Sequence, residues 1–533
     1  MKQLRDTSSL CPDCKRIIPA NIYEEDGKVW MRKTCEKHGE VKSLYWGSYD
    51  LYKEAERYFS DGRVMDNPHI KKRNTVCPQD CGLCNAHKTH TVLGNIVVTN
   101  RCDLNCFYCY FYAREDGCVY EPSLDQIDRM VESMTKEEPV SCNAIQITGG
   151  EPSLREDIID IVELVKSHDV DHILFNTNGI RLAKDPNLSK ELKDSGVRMV
   201  YMSFDGVSEK TNPKNHWEAP TAIENCREAG LHIFLVPVII NSLNDHEAGD
   251  IIKFALKNKD VIRGVNFQPV SFNGRMPEEE RRKYRITIPD LLDRIENQVN
   301  GEISKEDFST VPSTTIISRF MEALTKRPVY TLSSHFACGG GTHFFEKEDG
   351  SMIALNRFLD IPRFLDYLDG KAKEIKNGKN RLTATFELIR DQRKFVDEDK
   401  KPEGVDISKL FFTMLLRRSY KFLLDVHKKA IFMGYMHFMD LYNYDIERVK
   451  KCCIHCGMAD GRVVPFCAYN VIPEIYRDKE KEKYGTSVRD WEEKTGKKIE
   501  DDIYKRNKEE WIKTDAYKKF SEQIEEVKKG SSL

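Results

Sequence analysis

The sequence predicts an α/β fold, a partial (β/α)6 TIM-like barrel flanked by small metal-binding modules, and three observations carry that reading. Six apolar segments alternate with helical patterns between Val92 and Val270. Their apolar runs are continuous rather than alternating, as in parallel strands covered on both faces. The cysteines and glycines that stand out fall at the C-terminal ends of these segments, where barrels of this kind place their chemistry.

The elements follow in order. Residues 1–60 form a small strand-rich unit in which CPDC and CEKH bracket IIPANIYEEDGKVWMRK. Residues 61–91 are an approach segment, KKRNTVCPQDCGLCNAHKTH. From 92 to 280 runs the barrel: VLGNIVVTN, NAIQITG, HILFNTNG, VRMVYMSFDG, LHIFLVPVII and VIRGVNFQPV are its strands. The helix near 123–135 shows Ile127, Met130, Val131 and Met134 at three-to-four spacing, one apolar face. Residues 281–470 read as mostly helical, with KLFFTMLLRRSYKFLLDVHKKAIFMGYMHFMD as core or as the lining of a wide apolar cavity. Residues 471–533 are a charge-laced helical tail with a solvated face.

Composition narrows the function classes. Apolar residues make up 40% and charged residues 32%, ample for globular cores. The net charge of −3 argues against a generally basic nucleic-acid binder. No apolar run reaches the ~20 residues of a membrane span, and the N-terminus lacks the apolar core of a secretory signal. A cytoplasmic protein is expected, with peripheral contact at the inner membrane face left open.

Seventeen cysteines, mostly clustered, set the chemistry. A reducing compartment disfavours disulfides, so closely spaced thiols read as metal or iron–sulfur ligands. Cys142 and Cys226 stand alone and read as small buried hydrophobes. CDLNCFYC supplies Cys102, Cys106 and Cys109 directly after a strand. Three thiolates on one tight loop hold three corners of a 4Fe–4S cubane and leave the fourth iron open. A structural site would need four protein ligands. One strand later comes TGGEP, whose two glycines permit close backbone approach.

Together these motifs resemble the radical S-adenosylmethionine (radical SAM) enzymes. The resemblance implies that the open iron chelates S-adenosylmethionine and that Gly149, Gly150, Glu151 and Pro152 contact its amino group. It also implies that Tyr108 lies near the adenine, and that Ser203, Asp205, Asn266 and Gln268 at later strand ends bind ribose and adenine. The implied reaction cleaves the sulfonium to methionine and a 5′-deoxyadenosyl radical, with the cofactor carrying the hard step.

Further thiols flank the barrel. Cys77, Cys81 and Cys84 repeat the C-x3-C-x2-C spacing and read as an auxiliary 4Fe–4S site, with zinc the alternative. Cys118 is the favoured fourth ligand, with His87 or a distant cysteine also open. Cys452, Cys456 and Cys467, with Cys338 from HFACGGGTHFF, make a second auxiliary site in which Cys453 competes. Cys11, Cys14, Cys35 and His38 form a rubredoxin or zinc-ribbon site, and three Cys with one His leave iron or zinc open.

The order of these parts, CPQDCGLC with HKTHTVL, the radical loop, HFACGGGT and VVPFCAYN, resembles the archaeal tetraether lipid synthases. That resemblance implies three 4Fe–4S clusters, a mononuclear centre, an archaeal diether phospholipid substrate and carbon–carbon coupling of isoprenoid chain ends. It implies an external electron donor such as ferredoxin or flavodoxin. Arg417, Arg418 and Lys421 would then meet phosphate headgroups. The rival readings are a radical SAM methylase of a pterin precursor and a peptide-modifying enzyme on the same scaffold. A multi-cluster electron carrier is the reading from another class, opposed by the open loop and GGEP.

Overall fold

The computed structural model describes all residues except 72–73, 112–116, 274–275, 277–278, 407–429 and 531–533. Arg417, Arg418, Lys421 and most of the Phe/Leu/Met-rich stretch therefore lie outside the described residues.

The N-terminal unit is an antiparallel meander of β1 (Lys2–Leu10), β2 (Ile17–Glu25), β3 (Lys28–Cys35) and β4 (Gly39–Trp46). Asp26 and Gly27, both at positive φ (53° and 72°), make the two-residue turn between β2 and β3. An Asp-Gly pair suits this because its backbone twist matches that of the flanking strands. Ile22, Val29 and Met31 are fully buried beneath the meander. Ser48 caps the helix Tyr49–Glu56 that follows. The unit is pinned to the rest of the chain by buried polar contacts. Arg5 pairs with Asp445, which also accepts from Thr7 (2.7 Å) and Tyr45 (3.0 Å). Lys33 donates to the carbonyl of Leu441.

The six expected barrel strands are β5 (Leu93–Thr99), β6 (Ala144–Gly149), β7 (His172–Thr177), β8 (Val197–Ser203), β9 (His232–Val236) and β10 (Ile262–Pro269), each parallel to its neighbour. Helices return the chain between them. The first, Leu124–Thr135, starts at a Ser123/Gln126 capping box, which satisfies two backbone donors reciprocally. It buries Ile127, Met130, Val131 and Met134, the face its spacing predicts.

Among its described residues the C-terminal half is mostly helical, as expected, with helices such as Ile288–Gln298, Thr315–Thr325 and Ile361–Lys376, but it also supplies strands that the sequence did not mark. It adds β11 (Gly339–Glu346), β12 (Ala430–Met436), β13 (Ile454–Gly457) and β14 (Val463–Pro465) to the same sheet. The order is β11-β12-β10-β9-β8-β7-β6-β5-β13-β14. β12 runs parallel to β10, and β13 runs parallel to β5. The barrel arc is thus extended at both ends by one later stretch of chain. The GGG of β11 makes room for an aromatic side chain. A Cβ on Gly341 or on its partner Gly434 would lie 2.5 or 2.4 Å from the Phe432 ring.

The tail also departs from a purely solvated face. Its last helix, Asp515–Lys528, buries Phe520, Ile524 and Val527. Phe520 packs edge-on against Phe254 (5.2 Å), which stacks on Phe204. Among the described residues no helix is long and apolar enough to cross a membrane.

Candidate active site and metal centres

The loop after β5 carries Cys102, Cys106 and Cys109 to the C-terminal end of the sheet. All three line one cavity of about 300 Å³ with Tyr108, Gly149, Gly150, Glu151, Ser203, Asn266 and Gln268. Burial pushes the Cys106 thiol up to about 11 and raises that of Cys102 as well. Thiols so buried become ligands only by losing their protons to the metal they bind.

The two glycines of TGGEP serve a close backbone contact. Gly149 sits at φ +151°, and a Cβ there would lie 2.3 Å from the Thr99 carbonyl oxygen. One on Gly150 would lie 2.1 Å from that of Arg101. The amides of Gly150 and Glu151 donate to those same carbonyls at 2.8 and 2.7 Å. The glycines therefore clamp the segment that leads into Cys102, which the motif alone did not reveal.

Glu151 is buried and accepts from Ser153, Thr177 Oγ1 (2.8 Å) and the amide of Asn178 (2.8 Å). Burial, with the nearby Asp103 carboxylate, raises it to about 7. Pro152 opens the turn Pro152–Leu154 behind it. Asp205 is committed to neighbours: it accepts from Tyr108 Oη, from the amide of Val238 (2.8 Å) and from Lys214 Nζ (3.0 Å).

Lys214 is the functional-looking residue that the motifs did not single out. It lines the cavity, is held by Asp205 and lies over the Tyr108 ring. Burial pulls its ammonium down, but Asp205 and the Cys106 thiol outweigh that, and the net shift is upward. Only its burial marks it, and TNPKNHW as a sequence reads as an ordinary polar loop.

The C-terminal thiols meet in a second cavity. Cys338, Cys452, Cys453 and Cys467 line a space of about 390 Å³ whose other walls include Leu174, Met199 and Phe234. Cys456 is absent from this lining; it is fully buried, and burial, with the Glu480 carboxylate, raises its thiol. Arg448 Nε donates to Cys338 Sγ at 3.1 Å. Tyr201, Met436, Phe438, Ile454 and Phe466 face both cavities.

In the Cys77 loop, the amide of Cys81 donates to Tyr476 Oη (2.9 Å) and Thr75 Oγ1 to Cys84 Sγ (3.2 Å). Burial raises Cys81 to about 12 and Cys77 beyond it. Cys118 lies on the two-residue strand Cys118–Val119 that pairs with Thr486–Ser487. His87 directs Nε2 at the Cys452 carbonyl (2.8 Å) and at His455 (3.1 Å).

In the N-terminal unit, one ligand atom each from Cys11, Cys14, Cys35 and His38 lies within 4.8 Å of the others. Cys11 Sγ and Cys35 Sγ are each 3.5 Å from His38 Nδ1, and Cys14 and Cys35 sulfurs are 3.9 Å apart. A tetrahedral ion with metal–sulfur bonds of about 2.3 Å has edges of this size. Cys142 and Cys226 are buried in the main core.

Residues 96–255 match the model of the radical SAM superfamily, and residues 3–47 match that of the HMPTM N-terminal zinc ribbon domain. The 7,8-dihydro-6-hydroxymethylpterin dimethyltransferase of Methanocaldococcus jannaschii is 42% identical over 497 residues, 91% of this chain and 97% of its own. A probable GTP 3′,8-cyclase of the same organism is 27% identical over 39% of this chain and 68% of its own. The Streptococcus suis SuiB structure, bound to the precursor peptide SuiA, is 14% identical, with a TM-score of 0.32, 55% of this chain and 69% of that one covered. The full-length relative corrects the expectation of a lipid carbon–carbon synthase: its name is that of a pterin methylase, the rival reading. Full-length likeness to a protein at 42% identity, and the superfamily match across the strands that carry the three-cysteine loop, establish that the chain belongs to the radical SAM superfamily, with a zinc ribbon at its N-terminus.

Proposed function

We propose that this protein is a radical SAM methylase that acts on a dihydropterin of the 6-hydroxymethyl class. The observation that carries the reading is the 42% identity to the pterin dimethyltransferase along nearly the whole of both chains. The cavity beside the Cys102 loop is compatible with it. Side-chain amides of Asn95, Gln146, Asn176, Asn266 and Gln268 line that space. Such groups both donate and accept, as the edge of a pterin ring requires.

The residues fit a 4Fe–4S cluster and S-adenosylmethionine: three thiols on one loop, with polar strand ends opposite them. When bound, that pair supplies one-electron chemistry able to take hydrogen from an unactivated carbon. The chain's own residues do the holding. Cys102, Cys106 and Cys109 would ligate the cluster. Glu151 presents a buried carboxyl group to the cavity, suited to an amino group. Tyr108, Lys214 and Asp205 form one hydrogen-bonded side of the site. Phe438 and Phe466 present apolar rings to it, between this cavity and that of the C-terminal thiols.

The Cys77 loop and the C-terminal thiols are proposed as auxiliary iron–sulfur sites, the latter with Cys453 beside Cys338, Cys452 and Cys467. A ferredoxin or flavodoxin is the proposed electron donor. The ribbon site suits zinc, with three sulfurs and one imidazole.

The test is anaerobic incubation of the reconstituted protein with S-adenosylmethionine, dithionite and 7,8-dihydro-6-hydroxymethylpterin, followed by mass spectrometry. A pterin heavier by one or two CH2 units supports the reading. Formation of 5′-deoxyadenosine while the pterin stays unchanged would overturn the substrate assignment and leave the superfamily chemistry intact.

A further inference from the structure

Three ligand atoms, none of them a sulfur, converge beside the Cys452–Cys456 turn. His87 Nε2 lies 2.8 Å and His455 Nε2 2.7 Å from the carbonyl oxygen of Cys452. The two nitrogens are 3.1 Å from each other. Both histidines are buried, His455 completely.

The hydrogens available do not satisfy this triangle. Thr91 Oγ1 has one proton and two short neighbours, Glu137 Oε1 at 2.5 Å and His455 Nδ1 at 2.7 Å. The Thr91 amide also donates to Glu137, at 2.7 Å. The Thr91 hydroxyl therefore donates to the carboxylate and accepts from His455 Nδ1–H. Neutral imidazole carries one N–H only. His455 Nε2 is then a bare lone pair aimed at a carbonyl oxygen. An N–H on His87 satisfies one side of the triangle and leaves the His455–carbonyl side as lone pair against lone pair. A cation at the centre satisfies every side.

We propose that His87 Nε2, His455 Nε2 and the Cys452 carbonyl oxygen bind a divalent first-row transition-metal ion. Imidazole nitrogen suits zinc and iron(II). An ion with bonds of about 2.1 Å subtends edges near 3 Å at right-angled positions, close to the three distances observed. The outer contacts have the form common to metal-bound histidine, whose second N–H passes to a carboxylate. Here it does so through Thr91 to Glu137. His87 follows Cys84 by three residues, and His455 lies between Cys453 and Cys456. The ion joins the turn behind the Cys77 loop to the one behind the C-terminal thiols.

The experiment uses the full chain with its clusters, crystallised anaerobically. Anomalous maps recorded on either side of the zinc and iron edges should show a single-atom peak within bonding distance of both Nε2 atoms. Elemental analysis of His87→Gln and His455→Gln should each show one metal atom fewer per chain, with the ribbon's metal retained as the folding control. The wild-type map is independent of whether the variants fold. No peak at either edge, so that the triangle holds only an extra proton, overturns the proposal. So does a full metal complement in both variants.

Discussion

The Tyr110 ring lies flat on that of Phe466, centroids 5.6 Å apart and 6° from parallel. Tyr110 follows Cys109 and Phe466 precedes Cys467, so one stacked pair joins the radical loop to the C-terminal thiols. Phe438 packs on both rings, 5.6 Å from Tyr110 and 4.6 Å from Phe466. Phe466→Ala should destabilise the fold by about 3–5 kcal/mol, the range for a buried aromatic removed without collapse of the site. Phe466→Leu, which keeps most of the volume, should cost less than about 1.5 kcal/mol. Anaerobic urea titration separates the two.

Lys214 is the second target. Lys214→Met leaves Asp205 buried beside Tyr108 without its cation, the expensive way to break a buried pair. S-adenosylmethionine affinity should fall roughly ten- to hundredfold, the equivalent of about 1.4–3 kcal/mol, as read by equilibrium dialysis. An unchanged dissociation constant would remove Lys214 from the binding site.

Glu480 gives a pH signature. It accepts from the amide of Ala459 and from Tyr469 Oη, and burial raises it from its ordinary 4.5 to about 7. Between those values the folded chain holds a proton that the unfolded chain releases, so stability falls as pH rises through the window. The loss is on the order of 3 kcal/mol. Glu480→Gln should flatten that slope between pH 4.5 and 7, measured as denaturation midpoint against pH.

In the ribbon, Cys35→Ser should release one metal atom per chain and leave the iron of the barrel in place. The backbone N–H groups of Lys37 and His38, with the His38 ring, draw the Cys35 thiol down to about 6, so zinc binding there should persist into mildly acidic buffer. Elemental analysis across a pH series checks both statements.

The six barrel strands and the Leu124–Thr135 face were legible because their signal is local: apolar runs, helical spacing, and glycine or cysteine where each strand ends. The three-cysteine loop was legible for the same reason. β12 and β13 were not. Each pairs with a strand more than 160 residues earlier, and AIFMGYM read as part of an apolar helical stretch since nothing nearby marks it as an edge. That Cys453, and not Cys456, lines the cavity with Cys338, Cys452 and Cys467 was not legible either, because spacing alone does not encode which side chains around the strand Ile454–Gly457 face it. Lys214 looked like any loop lysine until its burial was seen. The lipid reading went astray in the order of the metal motifs, which does not report what the barrel takes as substrate.

The pairing of β13 with β5 also sets an order of events in time. Synthesis runs from the N-terminus, so the outer edge of β5 stays bare until residue 457 has left the ribosome, and Phe204 lacks the Phe520 brace until some sixty residues later. A nascent chain therefore exposes the Cys102 loop on an unfinished wall. Machinery that loads iron should act after residue 457 has emerged, and a chain truncated before Phe520 should be poor in cluster even though Cys102, Cys106 and Cys109 are present.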